Sequence, residues 1–269
     1  MESVNTQTGF AELRDGRLYY ETVGSGQALV FVHGFSLDAR MWDDQFEVFA
    51  SRYRVVRYDL RGFGRSDVPT GPYSHADDLK ALMTQLGIDR AHIVGLSMGG
   101  GVAVDFALAY PDSISALVPV DAVVDGHRWS AAWDESVIPL WKLGRSGDVE
   151  GARQLWMAHS LFAPALAGSC GAWLRQMMLA YSGWHWLNQD PGRGLEPPAA
   201  GRLAEIQTPT LIVLGERDLP DFHIIADMLH QQIPGARKVV LPGAGHMANM
   251  EAPEKFNEVV LQFLEELKT

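Results

Sequence analysis

Ala91-His92-Ile93-Val94-Gly95-Leu96-Ser97-Met98-Gly99 joins an apolar run to a stretch of helical character, Gly100 to Tyr110. A serine between small residues, placed where an apolar run gives way to a helix, predicts a buried strand that turns sharply into that helix. Such a turn holds the hydroxyl outward, so Ser97 is a candidate nucleophile. Further short apolar or β-branched runs occur at Ala28 to Val32, Tyr53 to Tyr58, Ala116 to Val120, Thr210 to Leu214 and Ala236 to Leu241, separated by longer helical or polar segments. Runs apolar on both faces suit a parallel sheet covered by helices on each side. The fold class predicted is α/β, with a mostly parallel central sheet flanked by helices. Phe10 to Leu13 and Leu18 to Val23, joined through Asp15-Gly16, predict an N-terminal hairpin. Helices are expected near Asp77 to Leu86, Gly99 to Ala109, Phe222 to Gln232 and Pro253 to Leu267, the last opening on Pro253 and Glu254.

The chain has 269 residues and a formal net charge of -11, enough length for a substantial core and the wrong sign for nucleic acid or an anionic membrane. Apolar runs are interrupted well short of a bilayer span. Met1 to Thr8 carries neither the basic nor the apolar region of a secretory signal, which predicts a cytoplasmic location. Cys170 is the single cysteine, so no internal disulfide forms, and no spaced His or Cys cluster suggests a metal. No cofactor is expected.

From Ala122 to Leu203 the alternation of strand and helix stops. Helical stretches such as Val149 to Ser160 and Ala172 to Tyr181 fill the interval, and seven of the eight tryptophans fall there. Residues 122–203 are therefore expected to form a helical cap inserted into a core domain made of 1–121 and 204–269. The turn-rich segment Asp190-Pro191-Gly192-Arg193-Gly194, followed by Pro197-Pro198, marks its exit. Trp129, Trp133 and Trp141, nearest the strand that leads into the insert, are the candidate substrate-binding residues. His159 and His185 are expected to serve packing or the surface.

A serine hydroxyl is a weak nucleophile at neutral pH and needs a base, which in turn needs an anionic partner to fix its tautomer. Asp218 follows the run Thr210 to Leu214, and His246 follows Ala236 to Leu241. Sites in open parallel sheets form beyond the carboxyl ends of strands, so Ser97, Asp218 and His246 can converge there. Asp121, beyond another run, is the alternative acid. The negative charge that develops on an attacked carbonyl needs donors. The backbone N–H groups of Met98 and of Phe35, in His33-Gly34-Phe35, can supply them, and losing one such donor typically costs about 3 kcal/mol. His33 suits orienting that loop better than direct catalysis. Gly62-Phe63-Gly64 lacks the third glycine of a phosphate loop and predicts a turn.

With His33-Gly34-Phe35, the loop Asp59-Leu60-Arg61-Gly62-Phe63-Gly64-Arg65-Ser66, the elbow Gly95 to Gly99, Asp218 and Gly245-His246 all in order, the chain resembles the α/β-hydrolase family over nearly its whole length. Within that family it is similar to small carboxylesterases, perhydrolases and enol-lactone hydrolases with a helical cap. Ser97 stands where haloalkane dehalogenases and epoxide hydrolases carry Asp, which argues against those chemistries. The resemblance implies an α/β-hydrolase fold and a serine hydrolase of a carboxylic ester or lactone. Carbon–carbon bond hydrolysis or perhydrolysis on the same triad is the alternative. The first of these needs polar groups for a carboxylate or enolate, and the insert offers Arg145, Arg153 and Arg175. A ligand receptor with slow turnover on the same scaffold is the alternative of a different class. The expected partner is a small-molecule ester or lactone.

Overall fold

The computed structural model describes residues 6–268; Met1 to Asn5, part of the stretch read for targeting, and Thr269 lie outside the described residues. Eight strands form one sheet: β1 (Gln7–Leu13), β2 (Gly16–Val23), β3 (Ala28–Val32), β4 (Arg54–Tyr58), β5 (Ala91–Leu96), β6 (Ile114–Val120), β7 (Leu211–Gly215) and β8 (Arg237–Leu241). Their spatial order is β1-β2-β4-β3-β5-β6-β7-β8. The β1–β2 hairpin and the β2–β4 pair are antiparallel, and every later pair is parallel. Gly16 at the hairpin turn has φ 140°, a value suited to glycine.

All residues of β3 and β5 are buried, as expected of strands covered on both faces. Asp43–Ala50 packs on Pro253–Glu266, and His75–Gln85 packs on Met98–Ala109. Asp43–Ala50 is one helix that the sequence patterning does not reveal, because its two turns give too short a window for a periodic signal. At the opposite edge β8 departs from the expected two-faced burial. Arg237 is exposed and Val240 is 40% exposed, because an edge strand has no neighbour beyond it.

Two features of the sheet position the site. Chain direction across the sheet reverses between β3 and β5, from which β4 lies to one side and β6 to the other, and a crevice opens at such a switch point. Val32 pairs with Gly95 there, so the loop after β3 and the turn after β5 emerge side by side. Between β6 and β7 the ladder is short, with Val120 opposite Val213 and an isolated bridge from Leu117 to Thr210. Apart from isolated bridges at Gly192 and Thr210, the chain between these two strands is helix and loop, from Ala131–Arg145 through Val149–Met157 and Gly171–Ala180 to Trp184–Leu187. Among the described residues no helix is long and apolar enough to cross a membrane.

Candidate active site

Ser97 sits between β5 and the helix Met98–Ala109 with φ 55° and ψ −114°, a left-handed conformation that costs a non-glycine residue on the order of 1–3 kcal/mol. The surrounding structure holds it there. Ser97 N–H donates to Val120 O at 2.9 Å, while its carbonyl accepts from Gly101 N at 3.0 Å and Val123 N at 3.1 Å. Two flanking glycines make the turn sterically possible. A Cβ on Gly95 would lie 2.1 Å from Gly99 O, and one on Gly99 would lie 2.2 Å from Val32 O.

His246 follows β8 and is 1% exposed; Asp218 follows β7 and is buried. His246 Nδ1 lies 2.8 Å from Asp218 Oδ2, and the other Asp218 oxygen accepts from Leu219 N–H at 2.7 Å. A carboxylate accepts only, so that contact places the ring proton on Nδ1 and leaves the Nε2 lone pair free. The Phe222 ring packs on the imidazole at 4.3 Å between centroids. Ser97 and His246 line one cavity of about 270 Å³, and Ser97 Oγ makes no hydrogen bond among the described residues. Such bonds commonly tighten only when substrate is bound.

The loop after β3 forms the facing wall. His33 is fully buried: its Nε2 accepts from Leu60 N–H at 2.9 Å, and its Nδ1 lies 2.8 Å from Gly34 O. Burial holds the ring below its ordinary pKa and so keeps it neutral, with Nδ1–H donating to Gly34. His33 thus ties the Phe35 loop to the segment after β4. Neither the Phe35 N–H nor the Met98 N–H is spent on a protein acceptor among the described residues, the second because the opening turn of a helix leaves its donors free.

Helices between β6 and β7 supply the remaining wall. Trp129, Trp133 and Trp141 line the cavity where the sequence places them, with the first two stacked at 4.5 Å. Trp156 also lines it and was not singled out by the sequence. Its Nε1–H donates to Ser36 Oγ at 2.7 Å, joining the insert to the loop that carries Phe35. Helical periodicity gives Trp156 an inward face but does not reveal what that face meets. Among the described residues no charged side chain lines the cavity. Arg145 donates to the carbonyls of His185 (3.0 Å), Trp186 (2.8 Å) and Asn188, while Arg153 pairs with Glu150 and donates to Tyr181 O (3.0 Å). Arg175 is exposed elsewhere on the insert. His159 and His185 are buried packing residues, 8% and 4% exposed. Gly62-Phe63-Gly64 forms a turn, and the Phe63 ring stacks on His185 at 4.2 Å.

A strand-end serine in a strained turn and a carboxylate-bound imidazole thus line one cavity at the carboxyl edge of the sheet. The sequence profile of the alpha/beta hydrolase fold matches residues 27–253, and the chain belongs to the α/β-hydrolase family. A 2-hydroxy-6-oxononadienedioate/2-hydroxy-6-oxononatrienedioate hydrolase of Paraburkholderia phymatum is 33% identical, with 97% of this chain and 94% of the relative covered. Among solved structures, a thermophilic esterase from Thermogutta terrifontis superposes with TM-score 0.81 at 28% identity, covering 98% of this chain and 100% of the other. An enol-lactonase from Burkholderia xenovorans superposes with TM-score 0.80 at 24% identity, covering 96% and 100%, and that likeness concerns the fold alone.

Proposed function

We propose that this chain is a serine hydrolase of carboxylic esters or lactones whose acyl group is uncharged and largely apolar. The observation that carries this reading is the cavity itself, where Ser97 and His246 face a wall of tryptophan and other apolar side chains without one charged group among the described residues. In this scheme His246 Nε2 takes the Ser97 proton as Oγ attacks the substrate carbonyl. Asp218 stabilises the imidazolium through the 2.8 Å contact to Nδ1, and the Phe35 and Met98 N–H groups hold the oxyanion. The imidazolium then protonates the leaving alkoxide. Water, deprotonated by the same imidazole, releases the acid from Ser97.

Carbon–carbon hydrolysis is the alternative that the Paraburkholderia relative's name raises. A dioate substrate would bring a carboxylate, and burying one without a partner costs several kcal/mol. Arg145 and Arg153 are occupied by backbone carbonyls and Glu150, so they support the ester reading over a dioate. The test is a chain-length series of aryl esters and a few lactones, assayed on wild type and Ser97→Ala under burst conditions. Wild type should show an acyl-enzyme burst and sustained turnover, and Ser97→Ala a loss of about 10⁴-fold or more in kcat. Full turnover by Ser97→Ala would refute the nucleophile assignment, and a single slow turnover in wild type would favour a receptor.

A further inference from the structure

Asp121 follows β6 with φ 41°, 1% exposed. Its N–H donates to Val213 O at 2.9 Å, and its Oδ1 accepts from Gly215 N–H at 2.7 Å. These bonds stitch β6 to β7 where their ladder is short, at the strand end from which the Asp218 loop departs. The second oxygen, Oδ2, is buried and receives no N–H or O–H donor. Asp121, Asp218 and His246 each bring one oxygen or ring nitrogen into a group whose members lie within 4.8 Å of one another.

Two buried carboxylates with oxygens within 4.8 Å of each other disfavour a state in which both are ionised. The other titratable groups that face Asp121 are His246 and Glu251, and the latter carboxyl is engaged by the N–H groups of Gly245 and Met247. Asp218 already accepts from His246 and Leu219, which fixes it as the anion of the pair. We propose that Asp121 is a neutral carboxylic acid whose O–H donates to Asp218, making it a positioning residue that holds the orienting acid of the triad. Burial first, and then the Asp218 charge, push the Asp121 carboxyl well above the usual carboxylate range, in keeping with that geometry. The proton remains on Asp121 throughout turnover. Asp121 braces Asp218 while the imidazolium forms and decays.

The kinetic part of this inference rests on the serine-hydrolase reading, but its spectroscopic part does not. Infrared difference spectra of wild type minus Asp121→Asn at neutral pH should show the C=O band of a protonated carboxylic acid, moving in heavy water. The same band should appear when the pair is recorded in a Ser97→Ala background, which separates its failure from failure of the nucleophile assignment. If Asp121→Asn does not fold, the carboxyl carbon resonance of Asp121 in carbon-13-aspartate-labelled wild type gives the same answer. Asparagine keeps both a donor toward Asp218 and an acceptor for Gly215. Asp121→Asn is therefore expected to leave KM and the acidic limb of kcat/KM in place and to hold kcat within about threefold of wild type. Asp121→Ala is expected to lower kcat about tenfold to hundredfold with KM little changed. An absent acid band, or an acidic limb moved to lower pH in Asp121→Asn, would mean that Asp121 is an anion and overturn the proposal. Equal losses of thermal midpoint in both variants with wild-type kcat would also overturn it, by reducing Asp121 to a strand stitch.

Discussion

Gly99→Ala is expected to disable the proposed oxyanion site from behind. The added Cβ would lie 2.2 Å from Val32 O and 2.6 Å from His33 O, both backbone atoms that cannot rotate away. Reaching even 3.0 Å from Val32 O requires the elbow and the end of β3 to separate by about 0.8 Å. Those segments each carry one proposed donor, Met98 N–H on the elbow and Phe35 N–H on the loop after β3. A displacement of about 1 Å in an aligned site costs roughly a hundredfold in rate, and complete loss of one oxyanion donor about 10²- to 10³-fold. The expected result is therefore a kcat reduced about a hundredfold, with KM changed much less. Overpacking adds a loss of about 1–3 kcal/mol, or a thermal midpoint lower by roughly 2–10 °C. The assay is aryl-ester turnover on protein whose circular dichroism matches wild type, with Gly71→Ala as control, since a Cβ there meets nothing within 4 Å. A folded Gly99→Ala enzyme with wild-type kcat would refute the proposal that the two donors act as a pair.

Two other outcomes test the polarity of the interior. An aryl hexanoate and the aryl hemi-ester of adipate have equal acyl lengths, and the charged one should show a kcat/KM at least about a hundredfold lower, because its carboxylate finds no cation in the cavity; equal values would end the uncharged-acyl reading. Asp105 lies on the helix after Ser97, where burial first and Asp125 second raise its carboxyl to about 7. Its folded-state pKa exceeds the unfolded value, so the stability it contributes is present below about pH 4 and lost as pH rises through about 7. Asp105→Asn should thus gain on the order of 2 kcal/mol relative to wild type between pH 5 and 8 in parallel thermal melts, whereas an unchanged difference would show that Asp105 titrates normally. Half-buried His75 and buried His185, both lowered to about 3 mainly by burial, work in the opposite direction. They lose stability as pH falls below about 6.5, and for that reason the readout is a difference between proteins.

The elbow was legible in the sequence because its determinants are local: an apolar run, small flanking residues and a helix start within a few positions of Ser97. Asp218 and His246 were legible as candidates because each follows an apolar or β-branched run, and parallel strands deliver their carboxyl ends to one edge. What stayed hidden depends on chain segments far apart. Asp121 could be read as an acid beyond a strand, but its contact with Asp218 follows from the short β6–β7 ladder, which no periodicity encodes. Ser36 meets Trp156 across 120 residues, so neither looks unusual alone. Arg145 and Arg153 looked like available cations. The structure spends them on carbonyl groups that helices of the insert leave open at their ends, a demand visible only once the helices are packed.

The Phe35 ring meets Trp141, Trp156 and Trp186 of the insert, and Trp156 is hydrogen-bonded to the next residue, Ser36. The insert is thus a keystone, because lifting it as one piece would free the loop on which a proposed donor depends. Local loosening of these helices would extinguish turnover while the sheet beneath stayed intact, so inactivation would precede melting on a heating curve. The same bond divides the insert's freedom to drift. Outward positions such as Ile138, Leu155 and Leu179 can change at little cost, while Trp156 can be replaced only together with whatever steadies Ser36.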